Sequence, residues 1–140
     1  MLSRSFTLTV RYAETDAQGV VHHANYLVWF EEGRSEFLRQ LGMNYSDFEA
    51  AGFFAVVAHA DVDYRAPAFF EDRITVTTTL ARVRNRLMEL TYRVVNQNGN
   101  LIAEGRTVHV FTGRDRRPTA LPTEWLSRFQ GDGQTADFPG

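Results

Sequence analysis

The 140-residue sequence contains neither cysteine nor lysine. Without cysteine, a disulfide framework, a thiolate metal site and a cysteine nucleophile are all excluded. Without lysine, a Schiff-base lysine and a lysine general base are excluded as well, and all 15 basic residues are arginines. Two common kinds of covalent catalysis are therefore ruled out before any motif is considered.

Long apolar runs and a strong net charge are also missing. No stretch approaches the roughly 20 apolar residues of a membrane-spanning helix, and the N-terminus alternates polar and apolar residues, unlike a signal peptide. The formal net charge of -2 gives no general attraction for nucleic acid or an anionic membrane. We therefore expect a cytoplasmic protein with no nucleic-acid partner and no membrane span.

Hydrophobic periodicity predicts one strand, one long helix and then four strands. The order indicates an antiparallel α+β fold in which the four later strands are connected largely as a meander. We expect a single domain over residues 1–130, with one helical turn near its end, and a flexible tail over residues 131–140. The predicted strands cover residues 6–12, 53–64, 73–83, 87–96 and 101–112, and the helix covers residues 23–41.

Two features of the predicted helix suggest how it packs. Gly33 lies on its apolar face, where glycine costs about 1 kcal/mol relative to alanine, so we expect another backbone to approach closely there. Glu31 and Arg34 lie near the apolar boundary and are expected to form an ion pair. Gly42 is expected to end the helix, and Asn98-Gly99 predicts a tight hairpin turn further along the chain.

The segment YAETDAQGVVHHANY, residues 12–26, places an acid, a glycine and two histidines at the start of the helix. Asp16 has two interpretations. It is either a turn or capping aspartate, or part of a site in which the N–H groups and positive dipole end of the helix face an electrophilic carbonyl. Residue type alone favours the first interpretation.

The histidines do not predict a metal site. His22 and His23 are adjacent, their side chains are expected to diverge, and no further ligand has the usual spacing. A histidine near a carboxylate is better explained as a polar contact or a proton relay. His59 and His109 fall within strands and are expected to be structural. We expect no cofactor.

Arg82, Arg84 and Arg86 alternate within the run ARVRNRL. On an extended chain they share one face. They form either an exposed strand face or a local phosphate site. Because no aromatics are interleaved and the total charge is not basic, an extended nucleic-acid surface is not indicated.

The segment VRYAETDAQGVVHHANYLVWFEEGRSEFL closely resembles the signature of hotdog-fold acyl-CoA thioesterases of the 4-hydroxybenzoyl-CoA thioesterase group, including its Tol-Pal-associated branch. The order of elements over residues 4–130 is also similar. The resemblance implies a hotdog fold, in which a curved five-stranded antiparallel sheet wraps one long helix. It further implies an acyl-CoA substrate and a homodimer or homotetramer with active sites at the dimer interface.

By position, the resemblance implies that Asp16 is the catalytic carboxylate, acting as nucleophile or general base. His23 stands beside it, Tyr12 shapes the site, and the N–H groups at the helix start form an oxyanion hole. The CoA phosphates are assigned to Arg84 with Arg82 or Arg86. His22 departs from the signature, which has a large aromatic residue there, and this bears on the acyl pocket more than on the chemistry.

Two other functions use the same fold. One is a hotdog hydratase or dehydratase that acts on acyl thioesters, and the other is a non-catalytic acyl-CoA-binding module. The acyl group itself is not predicted. Phe53, Phe54, Val56 and Val57 fit either the border of an acyl pocket or the core, and their residue types favour the core.

Overall fold

The computed structural model describes residues 2–129. The predicted α+β class is confirmed, whereas the predicted tail, residues 131–140, lies outside the described residues. None of the helices within residues 2–129 has the length and apolar content needed to cross a bilayer. The elements in chain order are β1 (Ser3–Thr9), a 3-10 turn (Tyr12–Glu14), α1 (Asn25–Gln40), α2 (Tyr45–Ala50), β2 (Phe54–Tyr64), β3 (Arg73–Arg84), β4 (Leu87–Val95), β5 (Leu101–Thr112) and α3 (Thr123–Phe129).

The five strands form one antiparallel sheet in the order β1-β3-β4-β5-β2. The meander predicted for the four later strands holds only from β3 to β5, because β2 pairs with β5 at the far edge. The segment between β2 and β3 crosses back to β1, where the N–H of Val10 donates to the carbonyl of Asp72 at 2.9 Å. This contact ties the residue after β1 to the residue before β3.

Helix α1 packs its apolar face against the sheet. Phe30 stacks on Tyr92 of β4 with ring centroids 4.2 Å apart and an interplanar angle of 5°. A Cβ on Gly33 would lie 2.7 Å from the Thr78 hydroxyl and 3.2 Å from a Val76 methyl group. Gly33 therefore has close neighbours, but they are side chains of β3, and the prediction of another backbone there was wrong.

Strand β1 and helix α1, which flank the loop of residues 12–26, have different ends from those predicted. Strand β1 ends at Thr9 and Tyr12 lies in the 3-10 turn, so the loop is longer than expected. Helix α1 begins at Asn25 and not at His23. The backbone folds back there, since the N–H of Asn25 donates to the carbonyl of His22 at 3.0 Å.

Other local predictions have mixed outcomes. Helix α2 was not predicted; the side chain of Asn44 caps it by accepting the N–H of Asp47 at 3.0 Å. Helix α3 confirms the helical turn expected near residue 123. Gly42 and Gly99 both adopt positive φ, at 78° and 79°, as a helix stop and a tight turn require.

Candidate active site

Asp16 opens a tight turn in the loop before α1. Its carbonyl accepts the N–H of Gly19 at 2.9 Å, and Gly19 has a φ of 82° that favours glycine. The Asp16 Oδ1 atom accepts the N–H of Gln18 at 2.8 Å. No residue within the described range 2–129 donates a hydrogen bond to Oδ2. Asp16 therefore serves as a turn residue and also keeps one carboxylate oxygen available.

Glu14 fixes this loop to the helix, and sequence reasoning did not single it out. It is only 5% exposed. Its Oε1 accepts the N–H of Arg11 at 2.8 Å, and its Oε2 accepts the indole N–H of Trp29 at 2.9 Å. Its carbonyl accepts the N–H of His22 at 2.9 Å and the side-chain amide of Asn25 at 2.8 Å. One buried acid thus holds both ends of the loop against α1.

Most backbone N–H groups at the start of α1 already have a hydrogen-bond acceptor. His22 donates to Glu14, Asn25 donates to His22, and Tyr26 donates to His23 at 3.4 Å. The N–H of Ala24 reaches Nδ1 of His22 at 3.2 Å. Among residues 2–129, no acceptor pairs with the N–H of His23. That donor immediately precedes the N-cap of a 16-residue helix, at the positive end of the helix dipole.

The two adjacent histidines stack instead of diverging, which corrects the predicted geometry. The ring centroids of His22 and His23 are 4.2 Å apart with an interplanar angle of 28°. Both side chains are exposed. The carbonyl of His23 accepts the hydroxyl of Tyr64 at 2.9 Å, which joins the loop to the end of β2. Within the described chain, no cluster of three or more potential metal ligands occurs.

A cavity of about 320 Å³ lies beside the helix start. His23 lines it, and Asp16 does not. Burial, with smaller effects of Tyr64 and Asp72, raises the pKa of Tyr26 to about 12, so the phenol in its wall remains neutral. His23 therefore lines this cavity, whereas Asp16 is not among its lining residues. The lining residues are Val20, Val21, His23, Tyr26, Tyr64, Arg65, Ala66 and Pro67.

Tyr12 lies on the protein surface. Its side chain is 76% exposed, and its ring packs edge-on against Phe70 with centroids 5.6 Å apart. Phe69 and Phe70 are each 49% exposed. Only the backbone of Tyr12 supports the loop, since its carbonyl accepts the N–H of Thr15 at 3.0 Å. The structure places the Tyr12 ring in an exposed aromatic patch and not against Asp16.

The three arginines of the predicted phosphate site have different surroundings. Arg82 forms an ion pair with Glu89 across the β3–β4 ladder at 3.3 Å. Arg84 ends β3 and Arg86 lies in the following turn, and both are exposed. No acid within residues 2–129 pairs with either of them. Arg82 is therefore already neutralised, whereas Arg84 and Arg86 are available to bind an anion.

Arg34 does not form the ion pair predicted with Glu31. It is only 8% exposed, and its Nη1 donates to the hydroxyl of Tyr92 at 3.4 Å. That hydroxyl is 2.6 Å from the Thr107 hydroxyl, which is 2.9 Å from Nε2 of His109. His109 is buried, as a structural histidine should be, whereas His59 is exposed beside Asp61.

Comparison with known proteins agrees with this arrangement. The profile of the Thioesterase-like superfamily matches residues 10–131. The chain therefore belongs to this superfamily, which confirms the predicted class of enzyme, a thioester hydrolase. The match includes the loop, α1 and all of the later strands.

Three similar proteins illustrate the relationship. The acyl-CoA thioester hydrolase YbgC of Escherichia coli O6:H1 is 32% identical over 122 residues, which cover 86% of this chain and 91% of that protein. A 1,4-dihydroxy-2-naphthoyl-CoA hydrolase of Crocosphaera subtropica is 32% identical over 135 residues, covering 91% and 98%. A DHNA-CoA thioesterase structure from Staphylococcus aureus has a TM-score of 0.92 at 27% identity, covering 98% of this chain and 95% of that chain. These similarities confirm the predicted hotdog fold.

Proposed function

We propose that the protein hydrolyses acyl-CoA thioesters to a free acid and CoA. Asp16 acts as nucleophile or general base, and the N–H of His23 binds the oxyanion. The observation that carries the proposal is the loop that Glu14 holds against α1. Its Asp16 keeps one carboxylate oxygen without a donor, and the N–H of His23 at the helix start has no acceptor among residues 2–129.

The chemistry follows from these two groups. As a nucleophile, Oδ2 of Asp16 attacks the thioester carbon, and the carbonyl oxygen becomes an oxyanion that accepts the N–H of His23. Collapse of this intermediate expels the CoA thiolate and leaves a mixed anhydride, which water hydrolyses. As a general base, Asp16 instead aligns the attacking water and accepts its proton. Both routes use the same oxyanion donor and release the same products.

Fewer groups support catalysis in this proposal than the sequence resemblance implied. We assign the oxyanion to one N–H group, because the neighbouring N–H groups of His22, Ala24, Asn25 and Tyr26 already have acceptors. The exposed His23 ring is a candidate for protonating the departing thiolate. Tyr12 acts on the site only if another surface covers the aromatic patch in which it lies.

The edge of the sheet, separately, favours association with a second protomer. Strand β2 is an 11-residue edge strand on which Val56 and Val57 are 42% and 46% exposed. A long edge strand with exposed apolar residues can pair with another strand. We propose a homodimer or homotetramer formed along β2. Light scattering should then give two or four times the 16.0 kDa chain mass, and a monomer would contradict it.

We further propose membership of the 4-hydroxybenzoyl-CoA thioesterase group and assign the CoA phosphates to Arg84 and Arg86. The group assignment is supported by the signature around Asp16 and His23. The phosphate assignment is supported by two exposed arginines that no acid in the described chain neutralises. Arg82 supports the strand through Glu89 and contributes less.

A panel of acyl-CoA esters tests the function directly. Release of free thiol, read with a colorimetric reagent, is expected for at least one ester of the panel. A hydratase would release no thiol but would change the absorbance of an enoyl-CoA. A binding module would bind the esters in calorimetry without turnover. Either of the last two results would overturn the proposal.

A further inference from the structure

A second cavity lies between α1, α2 and β2, and it shares no lining residue with the cavity beside the helix start. Its volume is about 360 Å³. An engineered cavity of roughly 150 Å³ binds benzene, so this space is sufficient for an acyl group of about two fused rings. The lining residues are Glu31, Arg34, Ser35, Tyr45, Phe48, Glu49, Phe53, Phe54, Ala55, Val56, Val57 and Arg116.

Arg34 is the buried charge in the wall of this cavity. The hydrogen bond from its Nη1 to the Tyr92 hydroxyl is 3.4 Å long and therefore weak. Its Nε is buried and has no partner. Within residues 2–129, no carboxylate forms an ion pair with its guanidinium. A guanidinium has five N–H donors, and the Tyr92 and Tyr45 hydroxyls use only part of this capacity.

The groups around Arg34 do not neutralise it. Burial raises the pKa of Tyr92 to about 12 and also raises the pKa of Tyr45, so both phenols are uncharged near neutral pH. Burial and then the charge of Arg34 lower the pKa of His109 to about 4, so that ring is neutral too. A buried charge without a counter-charge is unfavourable, and an anion in the cavity would relieve it.

The rest of the lining is suited to the body of such an anion. Phe48, Phe53 and Val57 provide apolar surface next to Arg34. Glu31 and Glu49 are exposed, so solvent screens them. Arg116 also borders the cavity, with its guanidinium carbon 4.6 Å from the centroid of the Phe54 ring. The cavity therefore combines apolar side chains with polar ones, and Arg34, its buried cation, is the group suited to orient an organic acid.

We propose that this cavity binds the acyl group of the substrate and that the acyl group carries a carboxylate that pairs with Arg34. This assignment rests on the proposed thioesterase function, because the ligand of the cavity is a substrate only if the protein hydrolyses acyl-CoA esters. The predicted acyl groups are therefore aromatic or medium-length acyl groups with a second acidic function. Phe53 and Val57, which sequence reasoning assigned preferentially to the core, act here as walls of the site.

Isothermal titration calorimetry with a matched pair of probes tests the site without requiring turnover. Naphthalene-2-carboxylate carries the anion, and naphthalene-2-carboxamide has nearly the same shape without it. We expect the carboxylate to bind roughly 10- to 100-fold more tightly than the amide. Arg34→Gln should abolish this preference, and Arg34→Lys should retain part of it because the positive charge remains.

A second variant keeps the test decisive if Arg34→Gln does not fold. Ser35→Leu fills the cavity from α1 and leaves Arg34 in place, so it should weaken carboxylate binding without exposing a buried charge. Equal binding of the two probes, or unchanged carboxylate binding in the Ser35 variant, would overturn the proposal.

Competition separates this inference from the proposed function. Naphthalene-2-carboxylate should inhibit wild-type thioester hydrolysis competitively. Binding at Arg34 without competition would overturn the assignment to the acyl group. If no acyl-CoA ester is hydrolysed, the proposed function fails, while the calorimetric preference still decides whether the anion site exists.

Discussion

Trp29 of α1 donates its indole N–H to Oε2 of Glu14 at a distance of 2.9 Å. Both side chains are buried. The second oxygen of Glu14 accepts the N–H of Arg11 at 2.8 Å, so one carboxylate joins the start of the loop to the helix. The position of Asp16, two residues further along the chain, depends on this contact.

Replacing Glu14 by glutamine should therefore destabilise the protein. Glutamine has one acceptor oxygen, so one of the two N–H groups that Glu14 accepts, from Arg11 and Trp29, would face an amide NH2. We expect a loss of about 1–3 kcal/mol in the free energy of unfolding, measured with urea, together with a lower kcat. Glu36→Gln, on the exposed face of α1, is the matched control and should change stability by less than about 0.5 kcal/mol. Equal effects of the two substitutions would contradict the role of Glu14.

His109 should make stability depend on pH. Burial, with the charge of Arg34, lowers the pKa of His109 from 6.5 to about 4 in the folded protein. Between these two values the unfolded chain binds a proton that the folded chain does not, so stability is complete above pH 6.5 and decreases as pH falls. We expect a contribution of about 2 kcal/mol to be lost between pH 7.5 and pH 5.

The control for this prediction is His109→Gln. The substitution changes absolute stability, but it removes the titration, so the slope of unfolding free energy against pH should become shallower in this window. His22, His23 and His59 remain in both proteins, and their contribution cancels in the comparison. Identical slopes would show that His109 titrates as it does in the unfolded chain.

Arg84 should affect recognition of CoA and not the chemistry. Arg84→Ala should raise KM for CoA thioesters about threefold to fivefold, because an exposed ion pair contributes up to roughly 1 kcal/mol. Hydrolysis of a short pantetheine thioester, which lacks the 3'-phosphate and the pyrophosphate, should be unchanged. Arg39→Ala removes an equally exposed arginine from α1 and should affect neither substrate. Equal changes with both substrates would contradict a phosphate role for Arg84.

The sequence predicted the elements well because their periodicity is local. The run 101–112 matches β5 residue for residue, and the helix bounds differ by one or two residues. The pairing of β2 with β5 could not be read in the same way, since register between distant strands leaves no local signal. Gly33 is an intermediate case: its cost in helix propensity indicated a close neighbour but not that Thr78 would be that neighbour.

The site was predicted less completely than the fold. Asp16 and His23 were found through the signature of the loop, and their chemical roles remain proposals. Glu14 was missed because it resembles an exposed loop acid, and its partner Trp29 lies fifteen residues away. The expected ion pair of Arg34 with Glu31 was wrong, because helix spacing shows which residues are neighbours but not which side chain the sheet will bury.

The proposed catalytic role of Asp16 is tested by measuring thiol release from acyl-CoA esters by the Asp16→Asn variant. Asparagine keeps the acceptor for the N–H of Gln18, so the turn and the melting temperature should be preserved. Asp115 accepts the N–H of Arg117 at 3.0 Å in an equivalent turn, and Asp115→Asn is therefore the matched control. We expect kcat for acyl-CoA esters to fall at least about 100-fold in Asp16→Asn and to remain at the wild-type value in Asp115→Asn. A folded Asp16→Asn protein with nearly wild-type kcat would contradict the proposed role.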